Sequence, residues 1–340
     1  MSRKPVVLIT GAGGEVGDGL VHALAAEGRY DVLALDLNEL DPQLAAKCKH
    51  TIVGNVLDKD LLGRLVSEYE IHAILHLAAL LSTRSEFTPS TAHAVNVEGT
   101  LNLLELAVEQ SRWHGSRVKF VFPSSIAAYG LPDLETKARA GSVKERDWTL
   151  PTTMYGCNKL YCEHLGRYYS KHFRQLAAEP LKKGIDFRSI RFPGLISAFT
   201  VPSGGTSDYI PEMVHAAAKG EPYACFVRED TRIPFMAMPD AVEGMLQLAS
   251  VDSDALSRTV YNIGAYAPSA GEFADLIRVA FPGADIRFEP DEKRQAIVDS
   301  WPVDVDDSAA RRDWGFDPKF DLARTMEEYL LPNVRKRYKN

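Results

Sequence analysis

Tyr155 and Lys159 stand four residues apart in the segment TMYGCNK. Residues at that spacing share one face of a helix, so the Lys159 ammonium can lie beside the Tyr155 phenol and favour its phenolate by charge. A phenol activated in this way is a base able to take the proton of an alcohol near neutral pH. The pair alone is a common surface pattern, and its weight comes from what precedes it. Ser124 and Ser125 close the apolar run VKFVFPS and its continuation. A hydroxyl at a strand end can orient and polarise a substrate oxygen, and either serine can serve.

Gly11, Gly14 and Gly17 form Gly-x-x-Gly-x-x-Gly directly after the apolar run VVLIT. Missing side chains let a turn close tightly and bring backbone N–H groups at a helix start up to a pyrophosphate, which is the mechanics of a dinucleotide site. Glu15 is the awkward member, and its carboxylate is expected to point to solvent. Asp36 ends the next apolar run, 19 residues beyond Gly17. There it can accept hydrogen bonds from ribose hydroxyls and repel a 2'-phosphate, which favours NAD over NADP. Val16 and Leu37 beside these residues, Asn55 and Val56 after the third run, and Leu77 with the small Ala78 and Ala79 after the fourth are expected along the same cofactor. Asn96 is expected to fix hydrogen bonds behind the site.

The elements that must hold these groups are legible as a rhythm. Apolar runs at 6–10, 31–36, 50–54, 72–78 and 118–124 read as strands buried on both faces, as in a parallel sheet. Helix-like stretches at 15–28, 58–69 and 91–112 separate them, giving an α/β, doubly wound arrangement. A helix over 152–173 carries Tyr155, and 185–192 adds a strand. The segment 131–150 is charged and holds Pro132 and Gly141, which predicts a surface excursion. Residues 174–184 read as an inserted loop or helical extension. From about 194 the pattern changes to isolated helices and short strands, a smaller C-terminal α+β cap. The expected division is 1–193 and 194–340, with 232–249 packing back on the larger part.

The chain of 340 residues has 46 acidic against 39 basic residues and a net charge of -7. That balance gives no general attraction to nucleic acid or an anionic membrane and points to a small-molecule substrate. No apolar run approaches the roughly 20 residues of a membrane span. The opening MSRKPVVLITG enters a strand directly, as expected of a cytoplasmic protein. Cys48, Cys157, Cys162 and Cys225 fit reduced thiols, with Cys157 expected as a small buried group. The nine histidines lack metal-ligand spacing, no metal is expected, and His72 and His76 read as structural.

The ordered set of the glycine triplet, Asp36, HLAA, Asn96, the serine pair, Tyr155 with Lys159, and RFPG resembles the extended short-chain dehydrogenase/reductase superfamily, also called the NAD-dependent epimerase/dehydratase superfamily. The likeness covers nearly the whole chain. HLAALLS, TMYG, PSGGTSDY, YACFVREDTRIPFMAMPDA and RQAIVDSWP look like its L-threonine 3-dehydrogenase branch. The resemblance implies a Rossmann-like doubly wound sheet with a substrate cap, NAD as cofactor, and oxidation of the 3-hydroxyl of a small hydroxy amino acid, L-threonine to 2-amino-3-oxobutanoate. It implies Tyr155 as base, Lys159 holding the ribose and lowering the tyrosine pKa, and Ser125, with Ser124 adjacent, polarising the hydroxyl. Pro193 and Gly194 would border the nicotinamide, and Ser82, Thr206 and Trp301 would contact substrate. The helices at 91–112 and 152–173 imply a homodimer. Ser203 stands where that branch carries glycine and Ser207 where it carries threonine. The alternative is a nucleotide-sugar epimerase or dehydratase, which would need cap cations such as Arg228, Arg232, Lys293 and Arg294 for a diphosphate.

Overall fold

A computed structural model describes residues 4–178, 183–201 and 204–338. Ser203 and part of the 174–184 insertion lie outside them. The central sheet is seven-stranded and wholly parallel: β1 (Val6–Thr10), β2 (Asp31–Asp36), β3 (His50–Val53), β4 (Ile71–His76), β5 (Val118–Ser125), β6 (Ile185–Phe192) and β7 (Val260–Asn262). Their spatial order is β3-β2-β1-β4-β5-β6-β7. The order reverses between β1 and β4, and such a switch point opens a crevice at the carboxyl ends of the strands. The strands are apolar throughout because both faces are covered. Val6 and Leu8 enter one core layer, while Val7 and Ile9 enter the other.

The helices that matter for the site are α1 (Glu15–Glu27), α2 (Gly99–His114), α3 (Met154–Lys171), α4 (Met238–Ser250) and α5 (Glu292–Asp299). The expected helix over 91–112 is broken. Pro89–His93 is followed by a wide turn at Ala94–Glu98 before α2 begins. α4 packs against α1, where a Cβ on Gly19 would come within 2.6 Å of Val242.

Two features differ from the sequence reading. β7 comes from beyond 194, so the cap segment contributes a strand to the main sheet, and the core layer of Val7 and Ile9 continues into Tyr209, Phe235, Phe273 and Trp314. The 131–150 segment lies largely at the surface, as expected, but it is anchored. It forms a helix at Leu134–Ala140 and a strand at Ser142–Val143, and Leu131, Lys137, Val143 and Glu145 are buried. Of its charged residues only Lys137 and Glu145 are covered, and the others stay exposed. Cys157 is exposed rather than buried.

Candidate active site

β1 delivers the chain to Gly11, which turns with φ of 68°. A Cβ there would lie 2.7 Å from the Ala78 nitrogen, so the turn closes against the end of β4 only without a side chain. A Cβ on Gly17 would meet the Gly11 carbonyl at 2.5 Å, which lets α1 pack onto its own entry turn. Gly14 precedes α1, and among the described residues no side chain caps that helix start. Its first N–H groups therefore remain available to an anion. At the end of β2 the Asp36 carboxylate accepts from the Gly13 N–H at 2.9 Å and the Asn38 N–H at 3.1 Å. Both oxygens keep lone pairs for further donors.

These groups open onto one cleft of about 750 Å³ at the switch point, within the usual range for small-molecule sites. Gly11, Gly14, Glu15, Val16, Gly17, Asp36, Leu37, Asn55, Val56, Leu77, Ala78, Ala79, Lys159 and Pro193 all line it. So do Ser82, Ser124, Ser125, Tyr155, Gly194 and Trp301. Glu15 lies on the rim of the cleft and is exposed to solvent, as expected. Desolvation by its neighbours raises its carboxyl above the ordinary range, a hydrogen bond with Thr200 opposes the shift and Asp208 adds to it.

Asn96 and Thr206 stand behind the residues of the wall. Asn96 accepts from the Leu80 N–H at 2.7 Å and donates to the Leu80 carbonyl at 3.0 Å, pinning the loop after β4 by both of its backbone groups. Thr206 donates to the Ser82 hydroxyl at 3.1 Å and so acts on Ser82. Both are buried.

The serine pair separates cleanly. Ser124 donates to Glu163 at 2.5 Å, and Glu163 is held by Arg191 through Nε at 2.8 Å and Nη2 at 2.6 Å. Its hydroxyl is thus committed to a buried ion pair. Ser125 accepts from the Ala127 N–H at 3.1 Å, which leaves its own proton free to be donated. Alternation along β5 sends the two hydroxyls to opposite sides.

Thr153 caps α3 by accepting from the Gly156 N–H at 3.1 Å, so Tyr155 and Lys159 lie on the first turns. The Lys159 ammonium donates to the Pro123 carbonyl at 2.7 Å and sits 5.4 Å from the Tyr155 ring centre. Burial draws Lys159 down to about 8, against the opposing attraction of Cys162 and Glu163. Burial also pushes the Tyr155 phenol above its ordinary value. The expected lowering by Lys159 is therefore absent from the ligand-free chain, because the ammonium is turned toward Pro123 and desolvation of the phenolate dominates.

Sequence reasoning missed Arg84, in the first turn after Ser82, and Asp208. Arg84 lines the cleft and has no carboxylate within ion-pair distance among the described residues. A basic residue two positions past Ser82, at the start of the short helix Ser82–Phe87, was the available signal. The four cap cations suggested for a diphosphate are not on the wall. Arg228 is paired with Asp299 at 2.9 Å, Arg232 with Glu272, Arg294 donates to the Gly205 carbonyl at 2.8 Å, and Lys293 faces solvent. His76 is structural: it bridges Thr10 at 2.7 Å and Thr100 at 3.0 Å, and burial holds it neutral, down to about 3. Among the described residues there is no group of side chains able to hold a metal and no helix long and apolar enough to cross a membrane.

The sheet order, the side-chain-free turn, the open helix start and the acid at the end of β2 define a dinucleotide-dependent α/β enzyme, and their chemistry fits NAD. Residues 7–264 match the NAD dependent epimerase/dehydratase family. An uncharacterized epimerase/dehydratase of Staphylococcus haemolyticus is 34% identical over 336 residues, covering 98% of this chain and 99% of its own. Among solved structures, a monomeric L-threonine 3-dehydrogenase from a metagenome superposes with a TM-score of 0.85 at 33% identity over 98% of this chain and all of its own. A GalE-like L-threonine dehydrogenase from Cupriavidus necator, in its holo form, gives 0.83 at 35% identity over 98% and 100%. The chain belongs to the NAD dependent epimerase/dehydratase family. It is an NAD-dependent oxidoreductase of the short-chain dehydrogenase/reductase type.

Proposed function

We propose that this protein oxidises the 3-hydroxyl of a small hydroxy amino acid, L-threonine first, to the ketone, yielding 2-amino-3-oxobutanoate. The observation that carries the reading is the meeting of Ser125, Tyr155 and Lys159 on one wall of a cleft whose other members include Ser82, Gly194, Trp301 and the guanidinium of Arg84. Gly11, Gly14, Val16 and Gly17 would hold the pyrophosphate. Asp36, Leu37, Asn55 and Val56 would hold the adenosine, and Ala78, Lys159 and Pro193 would continue toward the nicotinamide. When bound, NAD supplies the acceptor for the hydride that leaves the hydroxyl-bearing carbon and the positive charge of its oxidised ring.

The chain's own residues do the rest. Ser125 donates its free proton to the substrate oxygen and fixes it beside Tyr155. Tyr155 acts as its phenolate, its own proton having passed to solvent, and takes the hydroxyl proton as the C–H bond breaks, so that the alcohol loses a hydride and a proton in total. Lys159, anchored at Pro123, keeps a positive charge close enough to favour the developing phenolate once a ligand fills the cleft. Arg84 suits the carboxylate of an amino acid. Trp301 has a buried Nε1–H without a partner, a donor in need of an oxygen. The cap cations being committed elsewhere argues against a nucleotide diphosphate. Exposed Tyr161 and Tyr168 on α3 suit pairing with a second copy as a homodimer, which light scattering would report directly.

An NADH-absorbance screen over L-threonine and its stereoisomers, L-serine, 3-hydroxybutyrate and nucleotide sugars tests the reading. Net NADH with L-threonine is expected. Turnover of a nucleotide sugar without net NADH, and none with any hydroxy amino acid, would defeat it. Tyr155→Phe should reduce kcat by roughly a hundredfold or more while NAD affinity is kept.

A further inference from the structure

The chain between Ser125 and Tyr155 crosses from the sheet to the cap and grips the segment that carries Trp301. The Leu131 N–H donates to the Ser300 carbonyl at 2.8 Å, and the Thr152 and Ser300 hydroxyls are bonded at 3.0 Å. Ser142–Val143 pairs in parallel with Asp304–Val305, and the Asp306 N–H extends that pairing to the Val143 carbonyl at 2.8 Å. Between these contacts the Lys137 ammonium donates to the Val298 carbonyl at 3.1 Å.

Lys137 is only 5% exposed. Burying an ammonium costs several kcal/mol unless it is bonded and compensated, so a lysine is an expensive filler for this place. Its compensation is specific. Val298 is in the last turn of α5, where carbonyls lack helical partners and the helix dipole favours a cation. The charges facing the ammonium are Asp299 and Asp230, with Arg228 opposing, and Arg228 is itself tied to Asp299 through both Nη atoms at 2.9 Å. The Val298 carbonyl also accepts from the Trp301 N–H at 3.2 Å. One oxygen therefore joins the Lys137 side chain to the backbone of the residue whose buried indole lines the cleft.

The geometry points to Lys137 as a positioning residue: by fixing the carboxyl end of α5 it sets the Trp301 indole on the substrate wall, and the 131–152 segment is the clasp that ties this wall to the Ser125 and Tyr155 wall. It acts on substrate fit and not on the cofactor, because none of its contacts belongs to the glycine turn or to β2. The kinetic part of the test rests on the L-threonine reading, while the exchange part does not.

Amide hydrogen exchange on NAD-saturated full-length protein needs no substrate. Lys137→Met should speed exchange across 298–305 by about tenfold or more, the loss expected for a charged hydrogen bond, with the Tyr155 helix unchanged. Unaltered exchange overturns the proposal. Kinetically, Lys137→Met should raise KM for L-threonine about tenfold with kcat and the KM for NAD within about twofold, and Lys137→Arg should restore most of it. Since Lys137 acts through Trp301, this rise must disappear in a Trp301→Phe background. An equal rise with and without the indole overturns the proposal. If Lys137→Met does not fold, Thr152→Val removes one contact of the same clasp without disturbing a buried charge. It should speed exchange at 298–305 to a smaller extent, and no change there overturns the idea. A wild-type protein that makes no NADH from L-threonine removes the substrate reading alone, and the exchange result still decides the clasp.

Discussion

Replacing Arg191 by Met should be among the most damaging single changes in the molecule, although Arg191 does not itself line the cleft. Its guanidinium is 2% exposed, grips both Glu163 oxygens, donates to the Glu145 carbonyl at 2.8 Å and lies 4.7 Å from the Tyr129 ring centre. Without it the Glu163 carboxylate is left with the Ser124 hydroxyl alone, at 3% exposure. An uncompensated buried charge of this kind costs about 3–5 kcal/mol, a large share of the roughly 5–15 kcal/mol that holds a domain folded. Urea unfolding followed by circular dichroism reads the loss. Arg191→Met should be about 3 kcal/mol or more less stable than wild type. The double change Arg191→Met with Glu163→Leu should recover most of the loss, because an apolar pair leaves nothing uncompensated. A deficit below about 1 kcal/mol, or a double variant as unstable as the two single losses added, would show that the pair is not the buried, interdependent unit described.

Lys159 makes activity and stability move in opposite directions. With its ammonium drawn to about 8, kcat/KM for NAD should fall as pH rises through that value. Folding stability should rise from about pH 8 toward 10 by up to about 3 kcal/mol, with Lys137, also held at about 8 by burial, acting in the same sense. A flat kcat/KM profile to pH 9.5 would refute the ammonium's role. Asp36→Asn keeps an acceptor for the Gly13 N–H but removes the charge, and should narrow the preference for NAD over NADP by about tenfold, read by fluorescence titration of both cofactors. Arg84→Met should raise KM for L-threonine by about tenfold or more. It should leave KM for L-threonine amide little changed, and equal shifts for both would remove Arg84 from carboxylate recognition.

The glycine turn, Asp36, six of the seven sheet strands and the Tyr155 helix could be read from the chain because each is a local pattern: a spacing, an apolar run, a cap. What escaped the sequence was decided between distant segments. β7 has three residues, too few for a period, and is a strand only because β6 offers it an edge. Ser124 and Ser125 are equivalent as letters, and only the partnership of Glu163 with Arg191, 28 residues apart on a helix and a strand, commits the first and frees the second. The 131–150 segment carries the composition of a loop, yet Lys137 and Glu145 are buried because their partners arrive from 298–299 and from Arg258 and Asn262. The phenol and the ammonium do share a face as expected, with Lys159 Nζ 5.4 Å from the Tyr155 ring centre. Helical spacing places the two side chains on one face but says nothing of the Pro123 carbonyl that claims the ammonium.

The free serine and the tyrosine are held in register by backbone, not by a bond between them. Ser125 starts the short helical turn Ile126–Ala128 and accepts from the Ala127 N–H. The first turn of α3 lies directly on that turn, and a Cβ on Gly156 would come within 2.0 Å of the Ala127 carbonyl. Gly156 follows Tyr155 and supplies the N–H that Thr153 caps, so one missing side chain fixes how near the phenol approaches the hydroxyl. Further along the same face of α3, Lys159 is tied to Pro123 and Glu163 to Ser124, both residues of β5. The helix is thus fastened at three successive turns, once to the short turn after β5 and twice to β5 itself. Side-chain freedom is removed before any ligand enters, which is the condition under which a hydroxyl donor and a base can act on one oxygen without reorganisation. Desolvation raises the pKa of the phenol in this frame, and Lys159, 5.4 Å from its ring centre, is the positive charge placed to oppose that rise as the proton leaves.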